Sequence, residues 1–231
     1  ANIEVGWGDC YLIGGVESMS RVKRRGFNWS PHPDLEKSYP EAYIGMGETA
    51  ENIAAKWNQT RSDHELFALN SHLKSQSATE QGYFDDELVS IVTDSKIIDK
   101  DGCIRGNTTL EKMAKLSPAF GEDGIVTAAT SSPLTDGAAF MLVCSEEYAK
   151  DHDLTPIARI VAGAVTGCPP ELMGIGPINA TKLVLKRANW VVDDVNIFEL
   201  NEAFASQSLA VISDLNIPQE KVNLDGGALA I

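Results

Sequence analysis

Apolar residues recur along this chain with two different periods. Between Gly47 and Trp57, the positions Ala50, Ile53, Ala54 and Trp57 keep helical spacing and predict a helix. Ser62-Asp63-His64-Glu65 has the form of a capping box. It opens a second helix in which Leu66, Leu69 and Leu73 form the apolar face and Gly82 marks the end. A second box, Thr108-Thr109-Leu110-Glu111, starts a short helix ending near Ser117, before Pro118. Ala138–Cys144 is apolar throughout, as expected of a strand buried on both faces, and Ser145 then caps a helix. Further strands are predicted at Cys10–Ile13, Leu88–Val92, Lys96–Ile98, Ile157–Val165, Asn196–Leu200 and Val222–Leu224. Further helices are predicted from Pro177 to about Ala188 and from about Ala203 to Leu215. Strands and helices alternate from residue 138 onward, which predicts an α/β fold. Residues 21–44 carry Pro31, Pro33 and Pro40 and read as loop, opened by the basic run Arg21-Val22-Lys23-Arg24-Arg25; residues 99–107 read as a turn-rich loop.

Composition narrows the function classes. The 231 residues are 43% hydrophobic and 23% charged, as in ordinary globular domains. The net charge of −14 disfavours a general nucleic-acid binder, which needs positive charge facing phosphates. No apolar run approaches the ~20 residues of a membrane helix, and no signal peptide is evident. The four cysteines, Cys10, Cys103, Cys144 and Cys168, form no C-x-x-C pair and read as reduced intracellular thiols. No histidine pair has H-E-x-x-H spacing, so no metal site is predicted. G-x-S-x-G, G-x-G-x-x-G and Walker sequences do not occur. The sequence starts at Ala1 without Met and stops within the apolar run Ala228–Ile231, from which we expect further sequence at both ends.

Three segments carry candidate chemistry. Asn201 stands at a strand-to-helix junction in Asn201-Glu202-Ala203-Phe204. Its amide either serves a developing oxyanion, directly or through a water, or caps the following helix. Ser131–Gly137 is either a turn or a polar wall over a ligand, and Ala128 and Ala129 before it allow close approach of a ligand chain. Met173, beside Gly174, either lines a flexible apolar pocket or packs in the core.

These segments together resemble the thiolase family, the 3-ketoacyl-CoA thiolases (acetyl-CoA C-acyltransferases) of fatty-acid β-oxidation. The stretches that carry the resemblance are Gly14–Ser20, Met46–Asn52, Thr109–Lys112, Pro118–Phe120, Ser131–Ala139, Met173–Pro177 and Asn201–Ala205, in family order across nearly the whole chain. The resemblance implies a thiolase-like α/β fold of two similar halves with mixed sheets and an inserted loop region covering CoA. Residues 1–150 would be the rear of the first half, with the insertion at about 21–120, and 151–231 most of the second. It also implies thiolytic cleavage of 3-ketoacyl-CoA by CoA, giving acetyl-CoA and an acyl-CoA shortened by two carbons.

By resemblance, Asn201 holds the water of an oxyanion hole. Met46, Ala128, Ser132, Leu134, Met173, Ala203 and Phe204 match the pantetheine and acyl channel. Arg105 matches a position beside the CoA adenine. Lys112 matches one near the nucleotide end, or else is a solvated helix residue. The family's nucleophilic cysteine, activating histidine and acid/base cysteine are absent from these residues: Cys10 lies in a strand, and Cys103, Cys144 and Cys168 sit in neither family cysteine motif. The piece alone is therefore expected to be inactive. The implied ligands are 3-ketoacyl-CoA and CoA as substrates, with no permanently bound cofactor. The implied partners are further copies in a dimer or tetramer, with a hydratase/dehydrogenase subunit as an additional one. The implied compartment is the cytoplasm or an organelle matrix. The alternative from another class is a non-catalytic acyl-CoA-binding or scaffold protein with a degenerate thiolase fold. A ketoacyl synthase fits Asn201–Phe204 and Met173-Gly174 less well.

Overall fold

The computed structural model describes residues 1–22 and 26–231; the basic residues Lys23, Arg24 and Arg25 lie outside the described residues. The elements are β1 (Cys10–Glu17), α1 (Pro33–Ser38), α2 (Met46–Lys56), α3 (Arg61–Glu80), β2 (Ile91–Val92), β3 (Ile97–Ile98), α4 (Leu110–Met113), β4 (Gly137–Cys144), α5 (Glu146–Asp151), α6 (Gly176–Ala188) and α7 (Ala205–Leu215). They divide into two compact units: Ala1–Ser30 with Leu134–Val161, and Pro31–Pro133 with Ala162–Ile231.

In the first unit β1 and β4 form an antiparallel ribbon, paired from Cys10–Cys144 to Glu17–Gly137. Gly14 faces Phe140, whose ring lies where a Cβ on Gly14 would stand, so this close approach requires glycine. The expectation that Ala138–Cys144 is buried on both faces is overturned: Phe140 is 70% exposed, and Met141 and Leu142 are also exposed. Among the described residues no third strand joins this sheet. After β4, the Ser145 hydroxyl accepts from the Tyr148 backbone N–H and caps α5 as expected.

The second unit is a helical assembly. Ile178 of α6, Val211, Ile212 and Leu215 of α7, and Ile217 and Val222 form one apolar cluster. Ile53 of α2, Leu172 and Ala210 form another. A third joins Ala68 of α3, Met113 of α4, Ala205 and Leu229.

The cap of α3 lies at Thr60, not at the expected Ser62. The Thr60 hydroxyl accepts from the Asp63 N–H at 3.2 Å, and the Asp63 carboxylate accepts from the Thr60 N–H at 2.9 Å. This reciprocal pair lies two residues earlier, so Ser62 falls inside the first turn. The expected leucine face is also wrong. Leu66 and Leu73 are exposed and only Leu69 packs partly against the cluster of Ala68, Met113 and Leu229, whereas His64, Glu65, Ala68, Ser71, His72, Ser75 and Ala78 face inward, with Ser71 and Ser75 meeting the polar Glu202 and the Asp225 carbonyl. Gly82, at φ +74°, ends the segment in the left-handed conformation. The box on α4 is shifted by one residue, with the Thr109 hydroxyl accepting from Lys112 N at 3.3 Å, and α4 stops at Met113.

The proline-rich loop contains α1 and a 3₁₀ turn at Pro40–Tyr43; Pro33 and Pro40 occupy first-turn positions, where a missing N–H costs nothing. Leu88–Val92 and Lys96–Ile98 reduce to a two-residue pair. Ile157–Val165 forms no strand, and Asn196–Leu200 and Val222–Leu224 form no ladder beyond a single parallel bridge between Phe198 and Val222. A strand needs a partner as well as a suitable pattern. Among the described residues, no helix is long and apolar enough to cross a membrane.

Candidate functional site

The first turn of α7 and the residues before it gather segments distant in sequence. Gln207 turns back from this turn: its side-chain N–H donates to the Asn201 carbonyl at 3.2 Å, and its Oε1 accepts from the Phe204 N–H at 3.3 Å. Asn201 is thus held through its main chain, and its side chain lies on an exposed residue rather than capping the helix; the cap position is Phe204. A Cβ on Gly174 would come within 2.8 Å of the Gln207 side chain and 2.9 Å of Ile53, so the loop carrying Met173 presses its backbone onto α2 and α7. Met173 itself is half-exposed beside this contact.

On the other side, the Ser132 N–H donates to the Ala203 carbonyl at 3.0 Å, and Ser131 pairs with Phe204 as an antiparallel bridge. Phe204 meets Phe120 edge-on, with centroids 5.8 Å apart. The Phe120 ring fills the space above Gly47, next to Met46 at the start of α2. Helix α2 is locked to α7 by the Ser206 hydroxyl, which donates to the Ala50 carbonyl at 3.0 Å. Ala128 starts a 3₁₀ turn whose Ala129 packs against the cluster of Ala68 and Ala205. Asn201, Ala203, Phe204, Ser132, Met46, Met173 and Ala128 therefore lie in or next to segments fastened around this one helix start.

The two cations are placed elsewhere on the same unit. The Arg105 N–H donates to His72 Nδ1 at 3.2 Å, against the middle of α3. Burial, followed by the Arg105 charge, holds His72 below the usual histidine range, so its ring remains an acceptor. Lys112 Nζ donates to the Asn107 carbonyl at 2.6 Å on α4. Arg61 anchors that helix by donating to the Met113 and Leu116 carbonyls at 3.0 and 2.7 Å while pairing with Glu65 at 2.7 Å. Leu134 belongs to the first unit and is 70% exposed. In that unit the Gly14–Ser20 and Ser131–Ala139 stretches meet: Asp136 accepts from the Ser20 N–H at 2.8 Å and from its hydroxyl, which holds the Asp136 carboxyl below its ordinary value.

Sequence reasoning missed the polar groups that fix this arrangement. Glu202, 2% exposed, accepts from the Ser71 hydroxyl at 2.6 Å, Asn223 Nδ2 at 2.8 Å and the Leu229 N–H at 3.2 Å. Asn223, at φ +46°, also bridges the Leu200 N–H and carbonyl at 2.7 and 2.8 Å. The Ser75 hydroxyl donates to the Asp225 carbonyl at 3.0 Å. A Cβ on Gly227 would stand 2.5 Å from the Glu202 carboxyl carbon. Glu51 likewise accepts from the Ile125 and Val126 N–H groups at 3.1 and 2.9 Å, tying α2 to the segment before Ala128. The available signal for Glu202 was an acid between an apolar strand and a helix opening on small residues.

Comparison with known proteins agrees along the whole chain. The family profile for the thiolase N-terminal domain matches residues 1–147, and that for the thiolase C-terminal domain matches 154–231. The chain is 45% identical to the 3-ketoacyl-CoA thiolase of Marinobacter nauticus, an alignment covering 99% of this chain and 61% of that protein. It is similar in structure to the dimeric peroxisomal thiolase of Saccharomyces cerevisiae (TM-score 0.93, 38% identity, 99% of this chain and 60% of that one). It is also similar to human mitochondrial 3-ketoacyl-CoA thiolase in complex with CoA (TM-score 0.88, 38% identity, 99% and 61%). The chain thus spans about three-fifths of the length of the relatives it matches.

Proposed function

The chain belongs to the thiolase family, and on that premise we propose that the whole protein is a 3-ketoacyl-CoA thiolase, with these residues as its CoA and acyl cradle. A cysteine thiolate attacks the 3-keto carbon, forming the S–C bond. The C2–C3 bond breaks, and acetyl-CoA leaves as its enolate, which takes up a proton. The thiol of a second CoA then attacks the acyl-enzyme thioester and carries off the shortened acyl-CoA. In this reading Asn201 holds the water that donates to the developing oxyanion. Met46, Ala128, Ser132, Leu134, Met173, Ala203 and Phe204 line the pantetheine and acyl path. Arg105 stacks at the adenine, as a planar cation suits, and Lys112 faces the nucleotide phosphates. CoA enters as a substrate, and no group is permanently bound.

The observation that carries this reading is the convergence at the start of α7. The segments of Asn201, Phe204, Ser132, Met46 and Met173 are fastened there by Gln207, Phe120 and Gly174. The division into 1–150 and 151–231 is supported by the two family profiles. Assembly as a homo-oligomer is supported by the dimeric yeast relative; a hydratase/dehydrogenase partner and a cytoplasmic or organellar location extend the same reading. A non-catalytic acyl-CoA binder with a degenerate thiolase fold is the competing reading. Thiolysis assays separate the two. The whole protein should consume CoA and 3-ketoacyl-CoA, and the 231-residue chain should not. Absence of turnover in the whole protein would leave the binder; turnover by the 231 residues would refute the assignment of the missing groups.

A further inference from the structure

Cys10 and Cys144 stand directly opposite each other where β1 meets β4. The Ser145 N–H donates to the Asp9 carbonyl at 2.8 Å, which makes 9/145 a hydrogen-bonded pair. Cys10/Cys144, one step along, is therefore a non-hydrogen-bonded pair. There the Cα atoms of an antiparallel ribbon come within about 4.5 Å and the two side chains share one face. That separation lies inside the range of about 4.4–6.8 Å over which a disulfide closes without moving the backbone. Both thiols are free and partly exposed. The Tyr148 phenol of α5 is held above its ordinary range, first by Cys10, then by burial and more weakly by Cys144. Cys103 and Cys168 belong to the other unit.

We propose that Cys10 and Cys144 form an oxidation site that a peroxide converts into a reversible cross-strand disulfide. One thiolate attacks the peroxide: an S–O bond forms, the O–O bond breaks, and the departing oxygen leaves as water, giving a sulfenic acid. The second thiolate then attacks that sulfur. The S–S bond forms, the S–O bond breaks, and the hydroxide leaves as a second water. Two electrons pass from the sulfurs to the peroxide, and both thiol protons end in water. This chemistry uses none of the residues assigned to the CoA cradle and does not depend on that assignment.

The test treats the whole protein with stoichiometric hydrogen peroxide, alkylates the remaining thiols, digests without reductant and maps linked peptides by mass spectrometry. The expected result is Cys10 linked to Cys144 in the same chain. Cys103 and Cys168 should be alkylated, and dithiothreitol should restore all the thiols. A Cys103→Ser/Cys168→Ser variant should behave identically, Cys10→Ser should abolish the linkage, and denaturant should remove the selectivity. Finding Cys10 and Cys144 alkylated, linked to other cysteines, joined between chains or oxidised to sulfonic acids would overturn the proposal.

Discussion

Around Glu202, a carboxyl group, the Ser71 hydroxyl and the Asn223 amide lie buried between α3, the residues leading into α7 and the loop from Asn223 to Ala230. Along β1 and β4, valine, leucine, methionine and phenylalanine stand in solvent, Val16 at 80% exposure. Hydropathy alone would have exchanged the two regions. Each buried polar atom near Glu202 has a partner at 2.6–3.2 Å, which offsets its desolvation. The ribbon pairs only the N–H and C=O groups that its two strands turn toward each other, and that pairing covers neither face. Burial in this molecule therefore follows from what packs opposite a residue as much as from the residue itself.

The largest expected effect on stability is at the polar cluster. Glu202→Ala leaves the Leu229 N–H without its acceptor, takes one acceptor from the Ser71 hydroxyl and from Asn223 Nδ2, and should cost about 3 kcal/mol, read as a lower urea midpoint. Gly227→Ala drives a methyl group into the same carboxyl and should cost about 1–3 kcal/mol. Values near zero for both would mean that the cluster does not organise this region.

Acid should act next. Burial is the main cause holding both His64 and His72 below the ordinary histidine value; Asp63, Glu51 and Glu65 oppose it at His64, and Arg105 reinforces it at His72. The unfolded chain takes up these protons near pH 6.5, and the folded chain does so only at lower pH. The stability they contribute is therefore fully present above that value and lost as pH falls through the folded pKa. Denaturation midpoints measured from pH 7.5 to 5 should fall, and more gently in His64→Gln, which lacks the buried ring. An unchanged slope in that variant would remove His64 from the account.

The smallest effect belongs to the ribbon. Val16→Thr exchanges an exposed side chain and should change stability by less than about 0.5 kcal/mol. A cost several times larger would show that this face is covered in solution.

The same contrast explains what the sequence could disclose. The helices from Met46, Gly176 and Ala205 were legible because their spacing is local, to within two residues of the observed starts. The cap of α3 was misplaced because Thr60-x-x-Asp63 and Ser62-x-x-Glu65 are both credible boxes, and only packing selects between them. The strands at Ile157–Val165 and Asn196–Leu200 were over-read, since strand patterns say nothing of partners. Asn201, Phe204 and Ser132 were found by motif. Glu202, Gln207 and Asn223 were not, because a partnership such as Ser71–Glu202 spans 131 residues and leaves no local mark.

Asn201 provides the most direct test of the central claim, because its side chain is assigned to catalysis while its residue is exposed and held by its main chain. Steady-state thiolysis of a 3-ketoacyl-CoA by the whole protein carrying Asn201→Ala should show kcat/KM about a hundredfold or more below that of the unaltered protein, with an unchanged denaturation midpoint. Equal kcat/KM in the two proteins would contradict the placement of the oxyanion-stabilising water at the start of α7.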